Sequence, residues 1–300
     1  MSPAIRRRQY RWIAFACLSS VFAGLTAILS KLGVKNTDSD VATAVRTTIV
    51  LVLSFVVTLI TGEMSALPDI TLKSYIFLIL SGFATGASWI CYFKALSLGD
   101  VSKVTAVDKS SVILSVLFAI IIFPAERNNW WIKLICLAAV GVGTYLMVDF
   151  KKTESENKKS TLWLIFALLS AVFAAATSIL AKIGIENVPS HLATTIRTCV
   201  VLVMAWLIVF GRKKTSLVRE VPKKDLLFLC LSGIATAGSW LCYYYAISNG
   251  QVSIVVPIDK LSVLLTVAFS AIVLKEKIKC KAWIGLAVLA VGTVCMAVFG

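Results

Sequence analysis

The chain has 300 residues, 59% of them hydrophobic, and a mean hydropathy of +0.90. A soluble domain of this length carries far more polar surface, so the water-soluble classes are excluded. The net charge is +15, but most Lys and Arg lie in short stretches between apolar runs, which fits membrane topology and lipid headgroups rather than nucleic acid.

The opening MSPAIRRRQYRW resembles the charged region of a signal peptide, yet the apolar run behind it is too long and has no clear small-residue cleavage site. It reads as the first permanent helix, 12–33. The runs 41–61, 73–97, 103–123 and 131–149 follow. A charged segment, 151–160, joins them to five more: 162–184, 191–211, 225–248, 252–274 and 282–299. Each run is roughly 18–22 residues, enough to cross a hydrocarbon core. Lipid leaves no partner for open backbone, so these runs are expected to be helices. A transmembrane barrel is excluded, because it needs short segments of alternating polarity. Stretches such as TGEMSALPD and GRKKTSLVREVPKK read as polar breaks.

Shifted by 151 positions, the chain overlays itself. LSSVFAGLTAILSKLGVKN (18–36) meets LSAVFAAATSILAKIGIEN (169–187), and LSGFATGASWICYFKALSLGDVS (80–102) meets LSGIATAGSWLCYYYAISNGQVS (231–253). The register slips only near PAERNNWW and resumes at VGVGTYLM. Each half holds five helices. A chain that crosses five times ends on the opposite side, so the second half enters inverted. The expected architecture is therefore all-α and transmembrane, about ten helices as two inverted five-helix repeats (12–150 and 161–299, with 151–160 between them). Many secondary transporters are built this way, with substrate near the midplane between repeats.

The ionisable residues that both halves keep inside apolar runs are Lys31/Lys182, Arg46/Arg197, Asp108/Asp259 and Lys109/Lys260. At 1.5 Å per residue they fall roughly 5–9 Å inside the boundary, in one layer per half. Asp108 and Lys109 (in AVDKSSVIL), like Asp259 and Lys260 (in PIDKLSVLL), point about 100° apart on a helix and are not each other's partners. A carboxylate at such depth is expensive, roughly 2.5–3.5 kcal/mol at a helix centre. Each Asp is expected to meet a cation on another helix, with Lys31 and Arg46 at the level of Asp108, and Lys182 and Arg197 at that of Asp259. The alternative for the long cations is snorkelling to the boundary as anchors, and for the Asp pair a purely structural interhelical bond. Trp89, Tyr92, Trp240 and Tyr243 recur mid-helix, suited to line a pocket or to pack against neighbouring helices. The stretches SGFATGAS and SGIATAGS permit close helix approach, and Gly82 and Gly233 are positioned to loosen their helices. His191, the only histidine, falls in the loop NVPSHLAT and reads as solvated. The eight cysteines include no CxxC and indicate neither a disulfide framework nor a metal site. No hydrolase triad, Walker loop or dinucleotide fingerprint occurs, so no cofactor is expected.

The patterns AVFAAATSILAKIG, ATTIRT, SGIATAGSWLCYYYAI and VVPIDKLSVLL resemble the EamA branch of the drug/metabolite transporter superfamily, and most of all its short five-helix proteins; this chain looks like two such units fused. The resemblance covers nearly all of 12–299. The first half departs from the pattern in AVDKSSV, which lacks the Pro, and the family's Glu after the fourth helix of a unit is matched by Glu126 and Glu276 without the usual preceding Gly. The resemblance implies export or exchange of small metabolites by alternating access around a central cavity, and it names no substrate. Cations outnumber anions in the paired layers, which favours a carboxylated or otherwise anionic, amino-acid-like solute. The expected partners are that small molecule and the bilayer of a plasma (inner) membrane. The competing reading is a non-transporting scaffold or partner-binding subunit. An intramembrane enzyme lacks a recurring nucleophile–base pair. The arginines near the N-terminus place it in the cytoplasm, whereas the cations of the linker and the later loops favour the reverse.

Overall fold

The computed structural model describes residues 3–33, 37–98, 104, 107–147, 162–272 and 280–300. The linker 151–160 and Glu276 lie outside these, as does the side chain of Lys31. Among the described residues there are twelve α-helices and no strand. Those of the first half are α1 (Pro3–Gly33), α2 (Ser39–Ile60), α3 (Leu72–Leu98), α4 (Ser111–Ile122) and α5 (Trp130–Met147). Those of the second are α6 (Leu162–Gly184), α7 (Ser190–Gly211), the short α8 (Thr215–Arg219), α9 (Lys223–Asn249), α10 (Val252–Lys260), α11 (Ser262–Ile272) and α12 (Cys280–Phe299). Nine stretches among the described residues are long and apolar enough to cross a membrane.

The molecule is apolar outside and polar within, as lipid demands. Ile60 is 79% exposed and Val298 66%, while Ser19, Ser54, Ser81, Ser170 and Ser232 are fully buried. Water does not drive these helices together; small side chains and interhelical hydrogen bonds do. The packing is between halves. Helix α1 lies along α9, α3 along α6, α2 along α7 and α5 along α12. On the first seam Ser19 meets Ser239 at 3.3 Å, Thr26 meets Thr236 at 3.3 Å and Ser232 donates to the carbonyl of Thr26 at 3.2 Å. Its repeat-related copy has Ser170 with Ser88 at 3.2 Å, Thr177 with Thr85 at 3.3 Å and Ser81 donating to the carbonyl of Thr177 at 2.8 Å. The two seams are related by the 151-residue shift, with the halves exchanged.

Gly82 and Gly233 set the spacing of the adjacent seams rather than loosening their helices. A Cβ on Gly82 would stand 2.9 Å from the carbonyl oxygen of Arg197, and one on Gly233 3.2 Å from that of Arg46. These glycines seat α3 and α9 against the turns that carry the shared arginines. Helices α5 and α12 cross at their own glycine pair: a Cβ on Gly143 would lie 2.7 Å from the carbonyl oxygen of Gly285.

Two expectations need correction. The run 252–274 is not one helix: it stops after Lys260, where the Leu261 amide reaches back only to Ile258, and restarts at Ser262. The first half turns at the matching place, with the Ser110 amide bonded to Val107 before α4 begins. Pro257 removes one amide donor in the second half, but the first has Ala106 at that position. The tightened turn therefore goes with the shared Asp-Lys pair and the serines after it. The polar breaks also hold structure, a 3-10 helix at Glu63–Asp69 and the helix α8.

Candidate functional site

A cavity of about 260 Å³ opens between the halves, lined from α1, α3, α6, α7, α9 and α10. Thr26, Thr85, Thr177, Ser178, Thr236 and Ser239 give it hydroxyls, Trp240, Tyr243 and Tyr244 give it aromatic walls, and Arg197, Asp259 and Lys260 give it charge.

Arg197 is the centre of the site. It sits in the second turn of α7 and is 1% exposed. Its guanidinium lies over Tyr244 at 4.3 Å and Trp240 at 5.1 Å, a cation–π seat that fixes the plane of the group. Nη2 donates to Thr85 at 2.8 Å, while Nε and Nη1 have no partner. A buried cation without an anion or a full set of acceptors is costly by several kcal/mol. Such donors in native proteins call for an explanation, and here they belong to a residue that lines the cavity. Tyr243 is held beside them by a 2.8 Å bond between its hydroxyl and that of Ser178.

Among the described residues, neither motif carboxylate pairs with an expected cation. Asp259 accepts from Ser19 at 2.7 Å, and Asp108 accepts from Ser170 at 2.7 Å. Each bond joins the turn in one half to the first helix of the other. Depth alone suggested cations from the same half, but cross-repeat packing brings α1 to α10, and α6 to the Asp108 turn, instead. The described cations are engaged elsewhere. Arg46 donates to Ser30 at 2.8 Å. Lys182 donates to the carbonyls of Ile247 at 2.6 Å, Ser248 at 3.3 Å and Gly250 at 2.8 Å, capping the C-terminus of α9, where the helix dipole favours positive charge. Lys109 and Lys260 lie close enough for their charges to interact.

Of the sequence candidates, then, Arg197, Asp259, Lys260, Trp240 and Tyr243 meet at the cavity. Trp89 instead packs with Val41, Ala44, Ala205 and Val209, and Tyr92 with Ala95, Val104 and Ala167.

Three polar groups were not legible as sites. Glu126, 2% exposed, accepts from the backbone amide of Val252 at 2.5 Å and from both the amide and hydroxyl of Ser253, capping α10. Lys133, fully buried, donates to the Glu126 carbonyl at 2.9 Å and to Gln251 at 2.7 Å, with its ammonium 3.6 Å from the Glu126 carboxylate. The second group is Glu63 with His191. Glu63 accepts from the amides of His191 at 3.0 Å and Leu192 at 3.1 Å and lies 3.9 Å from His191 Nε2, so this histidine belongs to the first turn of α7 and is not a solvated loop residue. The third ties the opposite ends of the same two helices: Lys214 bonds Asp40 at 2.6 Å and Asp38 at 2.7 Å, and Arg212 bonds Asp40 at 2.9 Å. The 151-residue overlay carries a signal for the last two, because Glu63 matches Lys214 and Asp40 matches His191.

Partial burial raises the Asp38 carboxyl, but the Lys214 bond and the amides of Asp40 and Val41 outweigh it and hold the group below the usual 3.8. Burial lowers the Lys214 ammonium, and its bonds to Asp38 and Asp40 outweigh that and hold it above 10.5. The Asp38 contribution is thus present above the unfolded carboxylate pKa and is lost as pH falls through the lower folded one. The Lys214 contribution is complete below 10.5 and is lost as pH rises through the higher folded value. Wild type is expected to exceed an Asp38→Asn variant by no more than about 1 kcal/mol, since the pair is partly exposed. That margin shrinks below about pH 4. Thermal unfolding of both proteins across pH checks it.

The sequence model described as the EamA-like transporter family matches residues 10–148 and 161–298. An uncharacterised transporter from the cobO 3' region of a Sinorhizobium species is 41% identical over 140 residues, which is 47% of this chain and 99% of that protein. An uncharacterised protein of Methanocaldococcus jannaschii is 30% identical over 135 residues, 45% of this chain and 96% of that one. A solved crystal structure shares the fold, with a TM-score of 0.73 at 14% identity, covering 93% of this chain and 94% of its own.

Proposed function

Because the chain belongs to the EamA-like transporter family, we propose that it is a secondary transporter, not an enzyme, which moves a small carboxylated or otherwise anionic solute by alternating access between its inverted repeats. The observation that carries this is Arg197: a cavity-lining residue whose guanidinium is buried, stacked on two rings and left with two unpartnered nitrogens. Arg197, Lys260 and Asp259 together leave the lining one positive charge in excess, which one anionic group balances. Amino-acid-like solutes that carry a net negative charge suit the same lining, with a carboxylate at Arg197 and the ammonium at Asp259. The prokaryotic relatives support the plasma (inner) membrane as its place, since outer membranes take barrels rather than helical bundles.

The test is uptake of a panel of anionic, neutral and cationic solutes into proteoliposomes. Transport confined to cationic or neutral solutes would overturn the anionic reading. In this reading the Asp108 and Asp259 bonds to the other half's first helix form and break as the repeats rock. The Asp108→Asn/Asp259→Asn double variant is expected to lose roughly 10- to 100-fold in turnover, since each of the two changes turns a charged hydrogen bond into a neutral one worth about 1 kcal/mol less. Unaltered transport in that variant would favour a scaffold role for the motif.

A further inference from the structure

The same guanidinium has a consequence for the empty carrier. With substrate gone, Arg197 still lies in a dry, aromatic seat, and nothing from the protein meets its Nε or Nη1. Asp259, the one carboxylate of the cavity lining, is bonded to Ser19 and is followed in sequence by Lys260, so it does not remove the excess charge. To return, an empty carrier must occlude this site, stripping it of whatever water the cavity held. An uncompensated charge slows that passage by orders of magnitude. An anion in the cavity removes the obstacle.

Resting on the anionic reading above, we infer that the Arg197 seat takes a small monovalent inorganic anion of the chloride kind when organic substrate is absent, and that transport is an exchange of one anion for another. A halide needs only N–H and O–H donors and no acceptor. The unpartnered Arg197 nitrogens supply N–H groups, and Ser178 and Tyr243, whose two hydroxyls share one hydrogen bond and so leave one proton over, line the same cavity of about 260 Å³. One monovalent anion against another moves no net charge, so the full cycle is electroneutral.

The probe is radiolabelled chloride trapped in proteoliposomes of the full chain, with potassium and valinomycin clamping the potential. The outer solution holds either chloride or lactobionate, a carboxylate too bulky for the cavity. Wild type is expected to release label at least tenfold faster into chloride than into lactobionate, with Arg197→Leu releasing it in neither. Equal release into both solutions would overturn exchange. Chloride flux that is absent, or that both Arg197→Leu and Arg197→Lys leave unchanged, would overturn the chloride seat. Carboxylate uptake measured in the same vesicles tells the two failures apart: if it still depends on Arg197, the anionic reading stands without this inference, and if it does not, both fall. The lysine variant, which keeps a cation in place, and the elution profile of each protein separate lost flux from lost folding.

Discussion

Replacing Arg197 by Leu is expected to reduce substrate uptake by roughly 30-fold or more, with the protein unfolding at the same temperature as wild type or higher. Both halves of this result follow from one fact. Losing a buried charged contact to a bound anion is worth about 2–5 kcal/mol, and 1.4 kcal/mol is tenfold. In the empty protein, however, the guanidinium is a burden: it is 1% exposed, and two of its nitrogens lack partners. Putting an apolar side chain in place of an uncompensated buried charge is neutral or stabilising. A merely structural arginine would give the opposite pattern, with lost stability and lost activity together. Arg197→Lys keeps the charge but not the planar stack over Tyr244 and Trp240, and is expected to fall between the two. Arg46→Leu is expected to cost less than about tenfold, because Arg46 bonds Ser30 and is not among the residues that line the cavity. Initial uptake rates in proteoliposomes, set beside unfolding temperatures in detergent, check all three.

Glu126→Ala is expected to be the most damaging of these substitutions to stability, about 3–5 kcal/mol, which lowers the unfolding temperature on the order of 5–10 °C. The carboxylate has no water to fall back on. Its loss strands the amides of Val252 and Ser253 at the start of α10 and leaves the fully buried Lys133 ammonium facing only carbonyl and amide oxygens. Glu126→Gln keeps an acceptor for the helix start and is expected to cost less than alanine. Adding Lys133→Met to Glu126→Ala is expected to recover part of the loss, since the stranded cation is then gone. The coupling measured by the four-protein cycle reports how far the two charges depend on each other.

The spans were legible because lipid makes one rule dominate: a helix must be apolar for its crossing length, and composition shows that directly. Where they are described, the ten runs are helical to within a residue of their ends apart from the turns at Ser110 and Leu261, and the first helix begins earlier than its run, at Pro3. The repeat was legible as an overlay, and the odd number of crossings gave the inversion. What the sequence could not give was which half each side chain meets. Asp259 finds Ser19, 240 positions away, because α1 packs on the second half's helices rather than on its own. The overlay also treats Arg46 and Arg197 as equals. They differ in surroundings: Arg46 bonds Ser30, whose counterpart at 181 is Ala, whereas Arg197 bonds Thr85, lies over Trp240 and Tyr244 and keeps two buried nitrogens without a partner. The halt after Lys260 was hidden for a similar reason: the residues around it are apolar enough to read as one continuous crossing.

The ties at the two ends of the α2–α7 seam bear on how the halves choose one another. Glu63 and Lys214 occupy matching positions, as do Asp40 and His191, with acidic residues in the first copy and basic ones in the second. If a first half paired with another first half in the same antiparallel way, Asp40 would face Glu63 at both ends. Two second halves would set His191 against Lys214 twice. Only the mixed pair is complementary at each end. The side chains at the two ends of this seam thus fit one half of each kind better than two of a kind.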